Sequence, residues 1–233
     1  MPGWILAQPK ERRVVIMQFR DRREAGQVLA QRLSNYSQRP GIVVLALPRG
    51  GVPVGHEVAR ALQAPLDVFV VRKLGVPGQE ELAMGAIASG GVRVLNGNVV
   101  EGLGISDAAI ESVATRELRE LERRENLYRG ERPAPEIQGR VLILVDDGIA
   151  TGSTMRAAVM ALRQLEPARI VVAAPVVALS TARELRKEVD ELVTVMTPAS
   201  FTAVGQWYED FSQTTDEEVR ELLARSRGFS APN

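Results

Sequence analysis

The chain has 233 residues, 45% hydrophobic and 25% charged, enough for one sizeable core and too evenly mixed for a long disordered tract. Its 29 Lys and Arg balance 29 Asp and Glu, so no bulk field favours nucleic acid or an anionic membrane. With no cysteine and one histidine, His56, disulfides, thiolate chemistry and multi-histidine metal clusters are excluded.

The opening MPGWILAQPKERR carries its charges behind a short apolar patch, the reverse of a secretory signal, and no apolar run approaches membrane-spanning length. A cytoplasmic location is the expectation. Residues 21–36 predict a helix capped by Asp21, with Ala25, Val28, Leu29 and Leu33 on one face. IVVLAL (42–47) is a continuous apolar run, the mark of a strand covered on both faces. It ends at PRGG, before the helical VPVGHEVARALQ. LDVFVV (66–71) reads as a second buried strand, followed by the polar, glycine-bearing RKLGVPGQEE. LAMGAIAS and VRVLNGNVV are strand-like pieces split by a Gly-Gly turn.

Residues 106–130 predict a long charged helix with Ser106 as its N-cap. Its acids and bases alternate in RELRELERRE, which favours a solvated, ion-paired face over a nucleic-acid surface. A Pro-bearing connector leads to the strand VLILV (141–145), a helix over about 153–165 and the strand ARIVVAAPVV. A helix near 179–188, the strand ELVTV and a last helix near 215–226 complete the chain. This alternation predicts an α/β fold, a Rossmann-like parallel sheet flanked by helices. The expected organisation is one domain over 1–233: a core at about 40–200, a helical insertion at about 100–135 and a C-terminal cap or hood at about 201–233.

Ligands of open α/β sheets bind at the carboxyl ends of strands. Three such ends are unusual here: PRGG, RKLGVPG and DDGIATGST, all expected on one edge of the sheet. TGST (151–154) opens a helix, so its N–H groups and hydroxyls offer a site for a phosphate monoester. Asp146 and Asp147 repel each other and resist desolvation, which calls for a compensating partner. They can accept hydrogen bonds from the hydroxyls of a sugar on that phosphate, or face a cation. The plainer alternative is a capped helix after an acidic turn, with no ligand. A phosphoacceptor receiver domain also carries an acidic pair, but near its start, whereas this pair comes late. Only three basic residues are lysines, and Lys73, beside Arg72, hints that a compact ammonium is wanted there. A solvated strand end is the alternative.

VLILVDDGIATGST closely resembles the signature of the type I phosphoribosyltransferases: an apolar strand, two acidic residues, a short variable step, then Thr-Gly-x-Thr/Ser. ALPRGG resembles that family's pyrophosphate loop, and VVRKLGVPGQEELAMGA the strand and mobile loop that follow it. The combination looks most like a bacterial group of predicted phosphoribosyltransferases with no assigned substrate. The resemblance implies 5-phosphoribosyl-1-pyrophosphate (PRPP) with Mg²⁺ as ligand. It also implies transfer of 5-phosphoribose to a small, nucleobase-like nitrogen acceptor, with release of pyrophosphate.

Carried over by motif, Asp146 and Asp147 would hold the ribose hydroxyls and, with Lys73, form the catalytic set. Ala150, Thr151, Gly152, Ser153 and Thr154 would bind the 5′-phosphate. Arg49, Gly50, Gly51, Arg72 and Lys73 would bind pyrophosphate, the family's loop often containing a non-proline cis peptide. Mg²⁺ would be held indirectly through PRPP, or by Asp146 and Asp147. The loop 74–82 would close over the reaction.

Ala150 departs from the hypoxanthine–guanine members, which carry an aspartate there, and argues against their mode of base activation. Four of the ten aromatic residues fall at 201–211, and Trp207 and Tyr208 are candidates for stacking on a base. The alternative is that these aromatics anchor the C-terminal helix. His56, one turn into its helix, is expected to be structural. A homodimer is one option the sequence leaves open, and neither nucleic acid nor membrane is expected as a partner. The same resemblance also admits a PRPP-sensing regulator of RNA, DNA or a protein.

Overall fold

The strands are β1 (Ile42–Ala46), β2 (Leu66–Val68), β3 (Val71–Val76), β4 (Gln79–Ala88), β5 (Val92–Leu95), β6 (Val141–Val145), β7 (Arg169–Val176) and β8 (Glu191–Met196). The helices are α1 (Arg22–Arg32), α2 (Gly51–Leu62), α3 (Gly97–Gly102), α4 (Asp107–Arg129), α5 (Ser153–Arg163), α6 (Leu179–Glu188) and α7 (Asp216–Arg225). These come from a computed structural model that describes residues 18–130 and 132–229. The amino-terminal stretch read against a secretory signal lies outside the described residues.

Five strands form one parallel sheet in the order β2-β1-β6-β7-β8. The central strands are nearly all Val, Ile, Leu and Ala because helices cover both faces and leave no wet side. On one face Val44 and Ile143 pack with Leu29 of α1 and Val54 and Val58 of α2. On the other, Leu45, Leu142 and Leu144 pack with Met155 and Leu162 of α5. The Asp21 carboxylate accepts the amide of Glu24 at 2.7 Å and so caps α1, and Thr215 caps α7 through the amide of Glu218 at 3.1 Å. Among the described residues no helix is long and apolar enough to cross a membrane.

Two local expectations change. The run 66–71 is not one strand: parallel pairing with β1 stops at Val68, and the chain turns into β3 of a separate antiparallel sheet, β3-β4-β5. Arg72 and Lys73 therefore lie within a hairpin strand, and most of 74–82 is strand, turning at Pro77–Gly78. Hairpin pairing satisfies the backbone that a loop would leave to water, and it buries Leu74, Met84 and Ile87. Residues 97–100, read as the end of a strand, begin α3 instead. The carbonyl of Asn96 accepts the amides of Val99 and Val100 at 3.1 and 3.0 Å, closing the turn locally.

Candidate active site

β1 and β6 pair in register from Ile42–Val141 to Ala46–Val145, so their carboxyl ends open side by side. PRGG leaves one end and Asp146–Asp147 the other. The amide of Leu47 donates to the carbonyl of Val145 at 2.9 Å, and that of Gly51 to Leu47 at 3.1 Å, which closes the turn against β6. The Pro48–Arg49 peptide bond is cis. A β-carbon on Gly50 would stand 2.0 Å from Oδ2 of Asp147, so any side chain there must displace the carboxylate.

Asp147 is held at both ends. Nε of Arg22, in the first turn of α1, donates to Oδ2 at 2.7 Å, and the two side chains are only 12% and 13% exposed. The guanidinium carbon of Arg22 lies 3.9 Å from the centroid of the Phe211 ring, and Nη1 donates to the carbonyl of Ser212 at 2.7 Å. The Tyr208 hydroxyl donates to the backbone carbonyl of Asp147. Burial raises the Asp147 carboxyl above its ordinary range, and Arg22 opposes that rise.

Asp146 has no such cation. Its Oδ1 accepts the amide of Asp147 at 2.9 Å, and burial, then the charge of Asp147, push its carboxyl well above the ordinary range. A desolvated carboxylate without an ion-pair partner is costly, and among the described residues Asp146 has the Asp147 amide but no salt bridge. Such oxygen donors suit a hard cation. Among the described residues, though, no group of three or more His, Asp or Glu gathers to cage one. The pair fits Mg²⁺ bound together with a ligand's phosphates.

After the pair the chain turns into α5 through Gly152, whose φ of +77° and 2.8 Å approach to Cγ2 of Thr181 leave no room for a β-carbon. Nη1 of Arg156 donates to the carbonyl of Thr151 at 2.9 Å, while Glu184 and Glu188 pin the same guanidinium to α6 at 2.5 and 3.1 Å. The Thr181 hydroxyl donates to the carbonyl of Ala150. The loop is thus braced from α6, and Thr151, Ser153 and Thr154 stay exposed at the positive end of the helix.

The other sequence candidates divide. Arg72 donates to Oε2 of Glu117 on α4 through Nε at 3.0 Å and Nη2 at 2.6 Å. Lys73 is exposed, with Nζ 3.2 Å from the carbonyl of Glu81 across the hairpin. Nη1 of Arg49 lies 3.6 Å from Oδ1 of Asp216 at the start of α7. Trp207 and Tyr208 are both buried. Ring centroids are 5.7 Å apart for Phe19–Tyr208, 5.1 Å for Tyr208–Phe211 and 6.1 Å for Phe201–Trp207, so these aromatics tie residues 201–211 to Phe19, ahead of α1. His56 sits apart, its Nδ1 2.9 Å from the Ser226 hydroxyl. Sequence reasoning passed over Arg22, Glu117, Arg156 and Thr181. Each acts through a partner far along the chain, and no local pattern marks it.

The family model described as Phosphoribosyl transferase domain matches residues 20–211. MT0597 and Rv0571c, candidate phosphoribosyl transferases from two strains of Mycobacterium tuberculosis, are each 50% identical over 208 residues, covering 89% of this chain and 47% of their own. The chain spans about half the length of these curated relatives. The crystal structure of TT1426 from Thermus thermophilus superposes with a TM-score of 0.81 at 43% identity, covering 91% of this chain and 100% of that one. The family match runs from the arginine-bearing start of α1, through the glycine turn and the acidic pair, to the Phe211 ring. On that span the chain belongs to the phosphoribosyl transferase domain family.

Proposed function

We propose that this protein is a Mg²⁺-dependent phosphoribosyltransferase that moves 5-phosphoribose from PRPP to a small nitrogen acceptor and releases pyrophosphate. One arrangement carries the reading. The PRGG turn, the acidic pair and the braced start of α5 meet at one edge of the sheet, suited in turn to pyrophosphate, ribose and 5′-phosphate.

The acceptor nitrogen attacks the anomeric carbon as its bond to the pyrophosphate oxygen breaks, and the bonding pair leaves with pyrophosphate. Positive charge builds on the sugar in between. Asp146 and Asp147 accept the two ribose hydroxyls and set a negative field beside that charge. The hydroxyls and amides of Thr151–Thr154 hold the 5′-phosphate at the helix start. Gly50, Gly51 and Lys73 face the leaving group. When bound, Mg²⁺ neutralises the diphosphate, and Asp146 and Asp147 are the residues that would hold it. Ala150 supplies no base, and His56 is engaged with Ser226. The acceptor's proton therefore passes to another group or is shed by the acceptor itself.

Pyrophosphate release measured across purine and pyrimidine bases tests this. Release that needs Mg²⁺ and one particular base, and is absent in Asp146→Asn/Asp147→Asn, is the expected result. PRPP binding with no release on any base would favour ligand sensing on the same fold.

A further inference from the structure

Helix α4 has no role in the reaction above, yet it lies against the pyrophosphate turn. It engages Arg72, two donors of whose guanidinium go to the nearly buried Glu117. About two turns further on, the same helix presents Arg123 and Arg124. With Pro48, Arg49, Tyr128 and Asp216 they line a cavity of about 330 Å³.

Donors exceed acceptors in this cavity. The Arg49 guanidinium makes no hydrogen bond among the described residues, only its 3.6 Å charge contact with Asp216. Arg124 spends Nε alone, on Oε1 of Glu120 at 2.8 Å, which leaves both Nη groups. Arg123 spends Nε and Nη2 on the same Glu120 at 2.7 and 3.0 Å. The one other carboxylate, Asp216, already accepts the Tyr128 hydroxyl at 2.7 Å. Burial pushes that hydroxyl up to about 12, so it stays protonated and donates. Three guanidiniums thus face two carboxylates around a polar space, a setting that favours a multiply charged oxyanion.

The chain path ties the cavity to the acidic pair. Ser212 receives Arg22, and Asp216, four residues on, faces Arg49, a span of at most about 14 Å. Gly50, next to Arg49, touches Asp147 directly.

We infer that α4 completes the pyrophosphate subsite, with Arg123 and Arg124 joining Arg49 to hold the diphosphate. The inference rests on the phosphoribosyltransferase reading and gives the inserted helix a part in binding.

The test is calorimetric titration of inorganic pyrophosphate with Mg²⁺, and separately of ribose 5-phosphate and of PRPP. Each is titrated into the full chain and Arg123→Gln/Arg124→Gln. Arg124→Gln alone serves as a second variant that keeps the Arg123–Glu120 pair. Pyrophosphate affinity should fall about tenfold or more in the double variant, with ribose 5-phosphate affinity unchanged. Equal pyrophosphate affinity in variant and wild type overturns the inference while leaving the transferase reading intact. An equal fall for both ligands also overturns it, because a subsite would not move ribose 5-phosphate. A wild type that binds no PRPP removes the transferase reading, and this inference with it.

Discussion

Nε of Arg22 donates to Oδ2 of Asp147 at 2.7 Å across 125 positions of the chain. The contact explains how a buried strand can end in two neighbouring carboxylates. One is paired with an arginine that α1 delivers and that Phe211 and Ser212 hold in place. The other, Asp146, has no salt bridge among the described residues and accepts the amide of Asp147.

Removing Arg22 should leave Asp147 buried and unpaired. Arg22→Met is expected to destabilise the fold by roughly 3–5 kcal/mol in urea denaturation, and Arg22→Met/Asp147→Asn to recover much of that loss. A single variant with an unchanged midpoint would contradict the pairing.

Gly50→Ala places a methyl where Oδ2 of Asp147 now sits, 2.0 Å away, so the carboxylate must move. A stability loss of about 1–3 kcal/mol and a marked fall in PRPP affinity are expected together. Gly139→Ala is the control. Its φ is +70° with nothing within 4 Å, so it should lose stability alone. Parallel titrations of the two variants separate the cases.

Asp146 is expected to trade stability for binding. Its folded carboxyl is raised by burial and by Asp147, so its contribution is fully present below the ordinary carboxylate range and lost as pH rises through the raised value. Asp146→Asn removes the buried charge. Its Tm should exceed that of wild type at pH 8, with the gap closing on acidification, while PRPP affinity falls. A lower Tm at pH 8 would contradict this.

His56 titrates with the opposite sense. Burial lowers it from 6.5, with Glu57 opposing and Arg60 and Arg225 adding to the shift. Its contribution is present above about 6.5 and lost as pH falls through the lower folded value. The ring contacts Ser226 and lies tilted 5.4 Å from Phe229, so acid should first loosen residues 226–229. Protection factors there, corrected for the intrinsic slowing of exchange in acid, should fall between pH 7 and 5 in wild type and stay level in His56→Gln.

The sheet was legible in the sequence because its strands are short, apolar and separated by helical periodicity, as VLILV and IVVLAL show. The acidic pair and TGST were legible because their chemistry is local and contiguous. The β3–β5 sheet was not, since LDVFVV gives no sign of where parallel pairing ends. Arg22 and the Tyr208 hydroxyl were hidden for a different reason. Each meets Asp147 only once the chain has closed, and neither has a spacing or neighbour that marks it. Trp207 and Tyr208 stood out as aromatics near the site, but clustering alone cannot separate a stacking face from a buried anchor, and the structure buries both.

The most direct test is a titration of PRPP with Mg²⁺ into the wild type and into Asp146→Asn/Asp147→Asn, followed by calorimetry. Mg²⁺-dependent binding in the wild type, weakened by about 100-fold or more in the double variant, is the predicted result. Equal binding by both proteins, or none by the wild type, would contradict the site built on Asp146 and Asp147.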